Sequence, residues 1–590
     1  MKQFITRRSF IKAAGAATAL TAVSVGAPAA FAEETNCFFG DKADVTILYT
    51  NDVHTYIDNK SPKPTYAAIA ALKKSIEDTG RDVLLVDAGD HIQGTAYGSM
   101  DDGATIIELM NEAGYDIATL GNHEFDYGMA RAKAIIKEAD FPYVSCNWVD
   151  LRTGLRVLPA VKLFPAGGKW IAFVGITTPE SFTKSTPAYF MNAKQTRYIY
   201  DILGGDDGRK LYDAVQKAID KAKTLGADII IGLGHLGVDP SSSPWTSEEV
   251  IANTTGFDAF IDGHSHTVME NKQVYDAAGK AVTLTQTGSY LANVGKMTIA
   301  EDGAITTELI STADVSDAAV AATAEAWIND VDAMLGEQIA TTDIKFYIND
   351  PATSKRRIRM GETNLGDFVA DGIYTYFNEI EELHCDVAIM NGGGIRTDVE
   401  AGPWSFKTCK TVSPFGNVAC LMSVTGQQIQ DALEFGARFA GAEGKENGGF
   451  LQVAGARYTI HPMIPNTVQT DDKNVWTGSA ATPRVSNVEI YDKTTGTYKP
   501  LDPNATYALA GMNYTLRNLG DGFAMFDGAT LIKDYVSEDY LVMSSYAAMF
   551  GGVDANGLPH LASANSPLAD YPGYLLNYED PYGAGRIQMI

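Results

Sequence analysis

An α/β protein with at least two packed units is predicted by three observations: the length, the alternation of short apolar runs with helical patterns, and a change in composition past the middle. At 590 residues the chain exceeds what one core organises, since domains usually hold ~100–200 residues. From about residue 44 to 300 the alternation has the signature of stacked β-α units and a mainly parallel or mixed sheet. Beyond about residue 343 the chain becomes richer in Gly, Asn and aromatic residues.

The first element is not part of the fold. Thr6-Arg7-Arg8-Ser9-Phe10-Ile11-Lys12 forms a twin-arginine box, followed by a weakly apolar Ala/Gly/Thr stretch and the small-residue cleavage pattern Ala30-Phe31-Ala32. Residues 1–32 therefore read as an export signal handled by the twin-arginine machinery, with delivery to the periplasm or cell exterior. No later stretch reaches the ~18–20 apolar residues that span a bilayer, so no stable membrane insertion is expected after processing. The formal net charge of −27 would repel an extended polyphosphate backbone and argues against nucleic acid as a partner. The five cysteines, at 37, 146, 385, 409 and 420, show no C-x-x-C spacing and make no zinc cluster.

Residues 45–49, 83–86, 117–120, 229–232 and 257–261 are short apolar runs that read as buried strands, each ending in a polar, Gly-containing turn. Ligands of open α/β sheets sit beyond the carboxyl ends of strands, and these turns carry the chemistry-bearing residues. After the first comes Asp52-Val53-His54, after the second Asp87-Ala88-Gly89-Asp90, and after the third Gly121-Asn122-His123-Glu124-Phe125-Asp126. The last two strands end in Gly234-His235 and Asp262-Gly263-His264-Ser265-His266. Five of the nine histidines thus fall in these turns, which points to cations held by imidazole, carboxylate and amide oxygen donors. Asp90 could bridge two cations ~3.5–4 Å apart, and His123 could act as an acid whose tautomer Asp126 fixes.

An Ala-rich helical pattern over residues 317–327 carries no motif and reads as a connecting helix. Strands follow at 386–390 and 506–510. Asn391-Gly392-Gly393-Gly394-Ile395-Arg396 follows the first of these, and Arg359 precedes Glu362-Thr363-Asn364-Leu365-Gly366-Asp367. A Gly-rich turn exposes backbone amides, and an arginine beside it can grip a phosphate with two parallel hydrogen bonds.

The ordered series D-x-H, G-D, G-N-H-E, G-H and G-H-x-H resembles the calcineurin-like metallophosphoesterases, and Gly-Asn-His-Glu-Phe-Asp resembles their 5′-nucleotidase branch. Pro414-Phe415-Gly416, Gly448-Gly449-Phe450-Leu451-Gln452 and Asn513-Tyr514 ahead of Gly520-Asp521-Gly522-Phe523 resemble that family's C-terminal domain. The resemblance implies a calcineurin-like metallophosphatase domain of stacked mixed sheets flanked by helices over 43–313. It further implies a linker helix over 314–342 and an α+β substrate-binding domain over 343–590. It implies one divalent metal on Asp52, His54, Asp90 and His266, another on Asp90, Asn122, His235 and His264, and a catalytic pair of His123 and Asp126. It also implies a phosphate grip by Arg359 and Arg396 with Asn391 in the Gly-rich turn beside it, base stacking between Phe415 and Tyr514, and a nucleoside contact from Asp521. The donor set without cysteine suits Zn²⁺, Mn²⁺, Co²⁺ or Fe²⁺ better than Ca²⁺.

Two residues depart from the family pattern: Thr55 stands where Gly usually follows D-x-H, and His266 replaces Gln or Asn. The expected activity is an exported nucleotide phosphohydrolase of the 5′-nucleotidase type, extending to nucleotide sugars and di- or triphosphates. The alternatives are a 2′,3′-cyclic-nucleotide 2′-phosphodiesterase with 3′-nucleotidase activity, a thiosulfonate hydrolase of a sulfur pathway, and a catalytically silent nucleotide-binding surface protein. Intact donors at all seven metal positions argue against the last.

Overall fold

The computed structural model describes residues 43–590 apart from 186, 193–196, 443–444 and 534–536. The twin-arginine box, the cleavage pattern and Cys37 lie outside the described residues.

Two sheets face each other in the first half of the chain. One runs in the order Ile305–Ile310, Val294–Ile299, Val45–Thr50, Asp82–Asp87, Ile117–Ala118, with the last three strands parallel. The other runs Val268–Tyr275, Ala281–Thr287, Ala259–Ile261, Ile229–His235, Lys169–Thr177, Val161–Ala166, parallel through its four central strands. Side chains alternate across each strand. Val45, Ile47 and Tyr49 therefore point into the layer between the sheets, where they meet Phe173, Ile231, Ile261 and Met297. Leu48 points the other way, under the helices Tyr66–Glu77 and Ala104–Ala113. Tyr49 spans the interlayer and its hydroxyl bonds Thr285 Oγ1 at 2.6 Å. A Cβ at Gly295 would lie 2.0 Å from the Tyr49 ring, so only glycine lets the ring cross there.

Parallel pairing brings the carboxyl ends of three strands of one sheet and four of the other to one edge, the five predicted turns among them. The strand at residue 117 is shorter than its apolar run, spanning Ile117–Ala118, with Thr119 N still donating to Asp87 O. The strand from Ile229 is longer than its run and carries regular structure up to His235 itself.

Helix Ala318–Leu335 begins at Asp317, whose side chain accepts from Ala319 N and Val320 N. It lies against the first domain rather than spanning solvent: Val320, Val331 and Leu335 join that core, and Trp327 Nε1 donates to Tyr97 O at 2.8 Å. Lys407 then ties the second half to this helix through Asp332 Oδ1 at 2.6 Å and to Tyr97 Oη at 2.5 Å.

The second half holds a mixed sheet ordered Leu451–Ala454, Val387–Asn391, Thr506–Met512, Ala419–Thr425, Thr530–Lys533. A further sheet is closed by the C-terminal strand Ile587–Met589, which pairs in parallel with Tyr458–Ile460. Arg586 anchors that strand from full burial, its guanidinium donating to Asp371 Oδ2 at 2.8 Å and to Val453 O at 2.9 Å. Tyr574 and Tyr578 hydroxyls complete the same carboxylate's partners at 2.7 Å each. A buried charge so fully bonded is tolerated, and loss of one partner leaves the rest uncompensated.

Candidate metal centre and active site

The strand-end turns converge. Asp52, His54 and His266 form one group of donors, Asp90, His235 and His264 another, and His54, Asp90 and His123 a third between them, each with donor atoms within 4.8 Å of one another. Asp90 Oδ2 lies 3.0 Å from His235 Nε2, 3.8 Å from His54 Nε2 and 4.0 Å from His123 Nε2, so one carboxylate oxygen faces both ends of the cluster. Asp52 Oδ1 lies 3.4 Å from His266 Nε2 and 3.9 Å from both His54 Nε2 and His235 Nε2.

The backbone is strained at these donors. Asp52, His54, Asp90, His264 and His266 all have positive φ, between 48° and 78°, a region that L residues seldom adopt. Such strain persists where the surroundings over-determine it and gathers at functional sites. Here Asp52 N donates to Gly89 O and His54 N to Asp90 O, both at 3.0 Å, while His264 N donates to the Asp52 carboxylate. Thr55, the departure noted above, shares the conformation at φ 61°. Its hydroxyl accepts from Thr95 N at 2.8 Å and lies 2.7 Å from Thr95 Oγ1, bonds that a glycine lacks.

Several atoms call for a cation. His54 Nδ1 is 2.8 Å from Gln93 O and His235 Nδ1 is 2.7 Å from Ala88 O. A carbonyl only accepts, so each Nδ1 carries a proton and each Nε2 is the atom turned to the cation site, although without a cation, and against burial, the Asp90 and Asp52 carboxylates raise the His235 pKa to about 10. The His54 and His266 Nε2 atoms nevertheless face each other at 3.0 Å. His235 Nε2 and Asn122 Oδ1 are buried without a hydrogen-bond partner. Burial, with the adjoining His266 imidazole and the Arg396 charge, holds His54 well below its ordinary pKa; burial with Arg356 and Arg396 does the same for His266. Imidazoles, carboxylates and an amide oxygen pointed at common centres are the ligands of borderline divalent ions, and the residues present fit such a group.

His123 stands beside the cluster. Its Nδ1 is 2.5 Å from Asp126 Oδ2, and its N–H donates to Asp90 Oδ1 at 2.9 Å. Burial opposes protonation, yet the Asp126 and Asp90 carboxylates outweigh it and raise the His123 pKa. The free side of the ring faces a cavity shared by both domains.

The far wall of that cavity carries Arg359, Arg396, Asn391, Phe415, Tyr514 and Asp521, so every predicted substrate-side residue meets the metal side across one space. Arg359 is depressed from the usual arginine range by burial and by Arg356 and Arg396, and its Nε is buried without a hydrogen-bond partner. An anion would relieve both. Phe415 comes within 5.9 Å of the His123 ring, centroid to centroid, with the Arg396 guanidinium 5.6 Å from its own. Tyr514 lies on Gly520, where a Cβ would sit 2.5 Å from the ring, and its hydroxyl accepts from Asp521 N. Asn391 Nδ2 donates to Asp521 Oδ2 at 2.9 Å, so these two residues brace each other.

Sequence reasoning missed several participants. Arg356 lines the cavity, one position beyond the exposed Lys355. Glu124 lies inside the quoted motif without a role assigned there; its carboxylate accepts from Asp90 N, His91 N and Gly121 N and gathers two ligand turns. Glu180 follows strand Lys169–Thr177, a parallel strand whose end at this edge was left unread. The signal was available, since the parallel strand beside it, Ile229–His235, ends in a site residue.

His91 is a buried sixth histidine at this edge, Nδ1 2.8 Å from Asp87 Oδ1 and Nε2 2.8 Å from Tyr143 Oη. Burial disfavours its charge, but Glu124 and Asp87 prevail and raise its pKa to about 9. A histidine raised above its usual ~6.5 lends stability that is complete below that pH and lost as pH climbs through about 9. The metal-free chain should therefore melt at lower temperature as pH rises across this window, and His91→Asn should flatten the fall. An equally steep decline in the variant would exclude His91 as its source.

A double-sheet α/β layer with Asp and His donors at its strand ends, faced by a second domain bearing arginines and aromatic rings, defines a metal-dependent phosphoester hydrolase. Residues 45–268 match the family model for calcineurin-like phosphoesterases, and residues 338–528 match that for the 5′-nucleotidase C-terminal domain. The chain belongs to the two-domain 5′-nucleotidase family. It is 28% identical over 551 residues to the 5′-nucleotidase of Homo sapiens, covering 85% of this chain and 88% of that protein. To a trifunctional nucleotide phosphoesterase of Bacillus subtilis it is 27% identical over 553 residues, which is 86% of this chain but 34% of that longer protein. The crystal structure of a 5′-nucleotidase precursor from Thermus thermophilus shares the fold with a TM-score of 0.72 at 24% identity, covering 93% of this chain and 99% of that one.

Proposed function

We propose that this protein is an exported dinuclear-metal hydrolase that releases phosphate from 5′-nucleotides. The observation that carries the reading is the single cavity joining Asp90, Asn122, His123 and His264 to Arg359, Arg396, Phe415 and Tyr514. Its two walls supply what a nucleotide needs: cation ligands and arginines for the phosphate, rings for the base. Asp52, His54, Asp90 and His266 would hold one divalent ion and Asp90, Asn122, His235 and His264 the other. Bound there, such a pair supplies positive charge against the phosphoryl oxygens and activates a water for in-line attack.

The chain's own residues do the rest. Arg359 and Arg396 orient the phosphate, whose oxygens can accept from the unpartnered Arg359 Nε. His123, whose pKa Asp126 and Asp90 raise against burial, gives its Nε2 proton to the departing ribose oxygen. Phe415 and Tyr514 stack on the base, an interaction worth ~1–3 kcal/mol that tolerates base identity.

Export rests on the residue 6–12 box and the 30–32 cleavage pattern. It is supported by relatives named as snake venom enzymes, and among the described residues no helix is long and apolar enough to cross a membrane. A second reading, hydrolysis of 2′,3′-cyclic and 3′-nucleotides, rests on His266, which replaces the family's Gln or Asn and weakens the choice between 5′ and cyclic substrates.

Phosphate release from AMP, ATP, UDP-glucose, 3′-AMP and 2′,3′-cyclic AMP, with and without chelator, tests both. Expected is release from AMP that chelator abolishes and Mn²⁺ restores. Turnover of 2′,3′-cyclic AMP with AMP left intact would replace the first reading by the second.

A further inference from the structure

An imidazole ligand must present one bare nitrogen, and what the other nitrogen bonds decides which it is. His54 and His235 hold their Nδ1 atoms against backbone carbonyls, leaving Nε2 as the nitrogen turned to the cation site. His264 is arranged the opposite way. Its Nε2 sits 2.8 Å from Glu180 Oε2, and a carboxylate can only accept. The proton therefore lies on Nε2, and Nδ1 is left to serve the group formed with Asp90 and His235.

Glu180 is built for this task. It is 5% exposed, at the turn after strand Lys169–Thr177, and 84 residues from its partner in sequence. Ser242 Oγ donates to the same Oε2 at 2.6 Å, so the oxygen that receives the imidazole proton is itself fixed in direction. Its N–H is tied to Thr178 Oγ1. His264 needs such support, because its backbone is left-handed at φ 78° and its ring is partly open to the cavity.

The geometry points to Glu180 as a positioning residue: it sets the tautomer and ring orientation of His264 and so governs the affinity of the cation shared by Asp90, Asn122, His235 and His264. A carboxylate behind a ligating imidazole also strengthens its basicity, and losing such a partner typically costs about 10- to 100-fold in metal affinity. This inference rests on the proposed pair of cation sites, but it concerns only one of them. Asp52, His54 and His266, which would hold the other, make no hydrogen bond or ion pair with Glu180 among the described contacts.

The test is calorimetric titration of Mn²⁺ into the full chain stripped by chelator, for wild type, Glu180→Ala, Glu180→Gln and Ser242→Ala, with thermal melting of each to check folding. Glu180→Ala should weaken one of two binding events about 10- to 100-fold and leave the other unchanged. Glu180→Gln, which keeps an acceptor oxygen without charge, should fall between it and wild type, and also serves if the alanine variant does not fold. Ser242→Ala should weaken the same event by less. Two unaltered binding events in folded Glu180→Ala or Glu180→Gln would overturn the assignment, as would unaltered binding with a raised KM for AMP, which would put Glu180 on the substrate. Should wild type bind a single Mn²⁺ that Glu180→Ala weakens, the dinuclear reading fails and the role of Glu180 stands; absence of any uptake overturns both.

Discussion

Asp90→Asn is expected to lower phosphate release from AMP by about 10³-fold or more, even with excess Mn²⁺. The reason is positional. Oδ2 of Asp90 is approached by His235 at 3.0 Å and by His54 at 3.8 Å, imidazoles of the two opposed donor groups, so its charge is what both groups share. His235 and His123 hold Asp90 ionised well below the ordinary carboxylate range against the cost of its burial, whereas burial raises Asp52. Asparagine fits the same space and its oxygen can still accept from His123 N, so the turn should survive. What it loses is the anionic bridge. If charge stabilisation of the phosphoryl group is worth several kcal/mol and each ~1.4 kcal/mol is a factor of ten, loss of one shared ion removes about three orders of magnitude. Steady-state rates, metal content and melting temperature together decide the matter. A variant that turns over AMP at near-wild-type rate would refute the bridging role.

His123→Ala should cost about 10²- to 10⁴-fold in kcat, the usual worth of a general acid, with bound metal retained. His123 lies 4.0 Å from Asp90 Oδ2, a reach consistent with either a ligand or a bystander, so distance does not separate the two roles. The hydrogen bonding does. Its Nδ1 is committed to Asp126, its Nε2 faces the cavity, and neighbouring carboxylates raise its pKa despite burial. A proton donor needs that bias. Removing the Asp126 charge takes away part of what stabilises the imidazolium, so Asp126→Asn should lower that pKa and shift the basic limb of the kcat profile to lower pH. Loss of metal from His123→Ala, measured by elemental analysis, would instead make the residue a ligand.

The two variants also divide the site by legibility. Asp90 and His123 could be found from the chain because a strand end is marked locally, by an apolar run followed by Gly and polar residues, and because both belong to turns with unusual donor density. The run at 117–120 overstates the strand, and the Ala-rich segment gave a helix without revealing where it packs. Trp327 docks on Tyr97, 230 residues earlier, through a bond that no local pattern encodes. Arg356 and Lys355 are likewise indistinguishable as cations in a string of letters. Side-chain direction places the first in the cavity and the second in solvent.

By itself, then, the amino-acid sequence determined the donor chemistry of this protein and its place at strand ends, since residue type and hydrophobic period are local properties. Only the tertiary structure decided which ring nitrogen each histidine presents, that Glu180 stands behind His264, and how the substrate wall meets the metal wall. Those depend on sheet and domain packing that brings His264 N to the Asp52 carboxylate across 212 residues, a closeness of angstroms that no spacing along the chain contains.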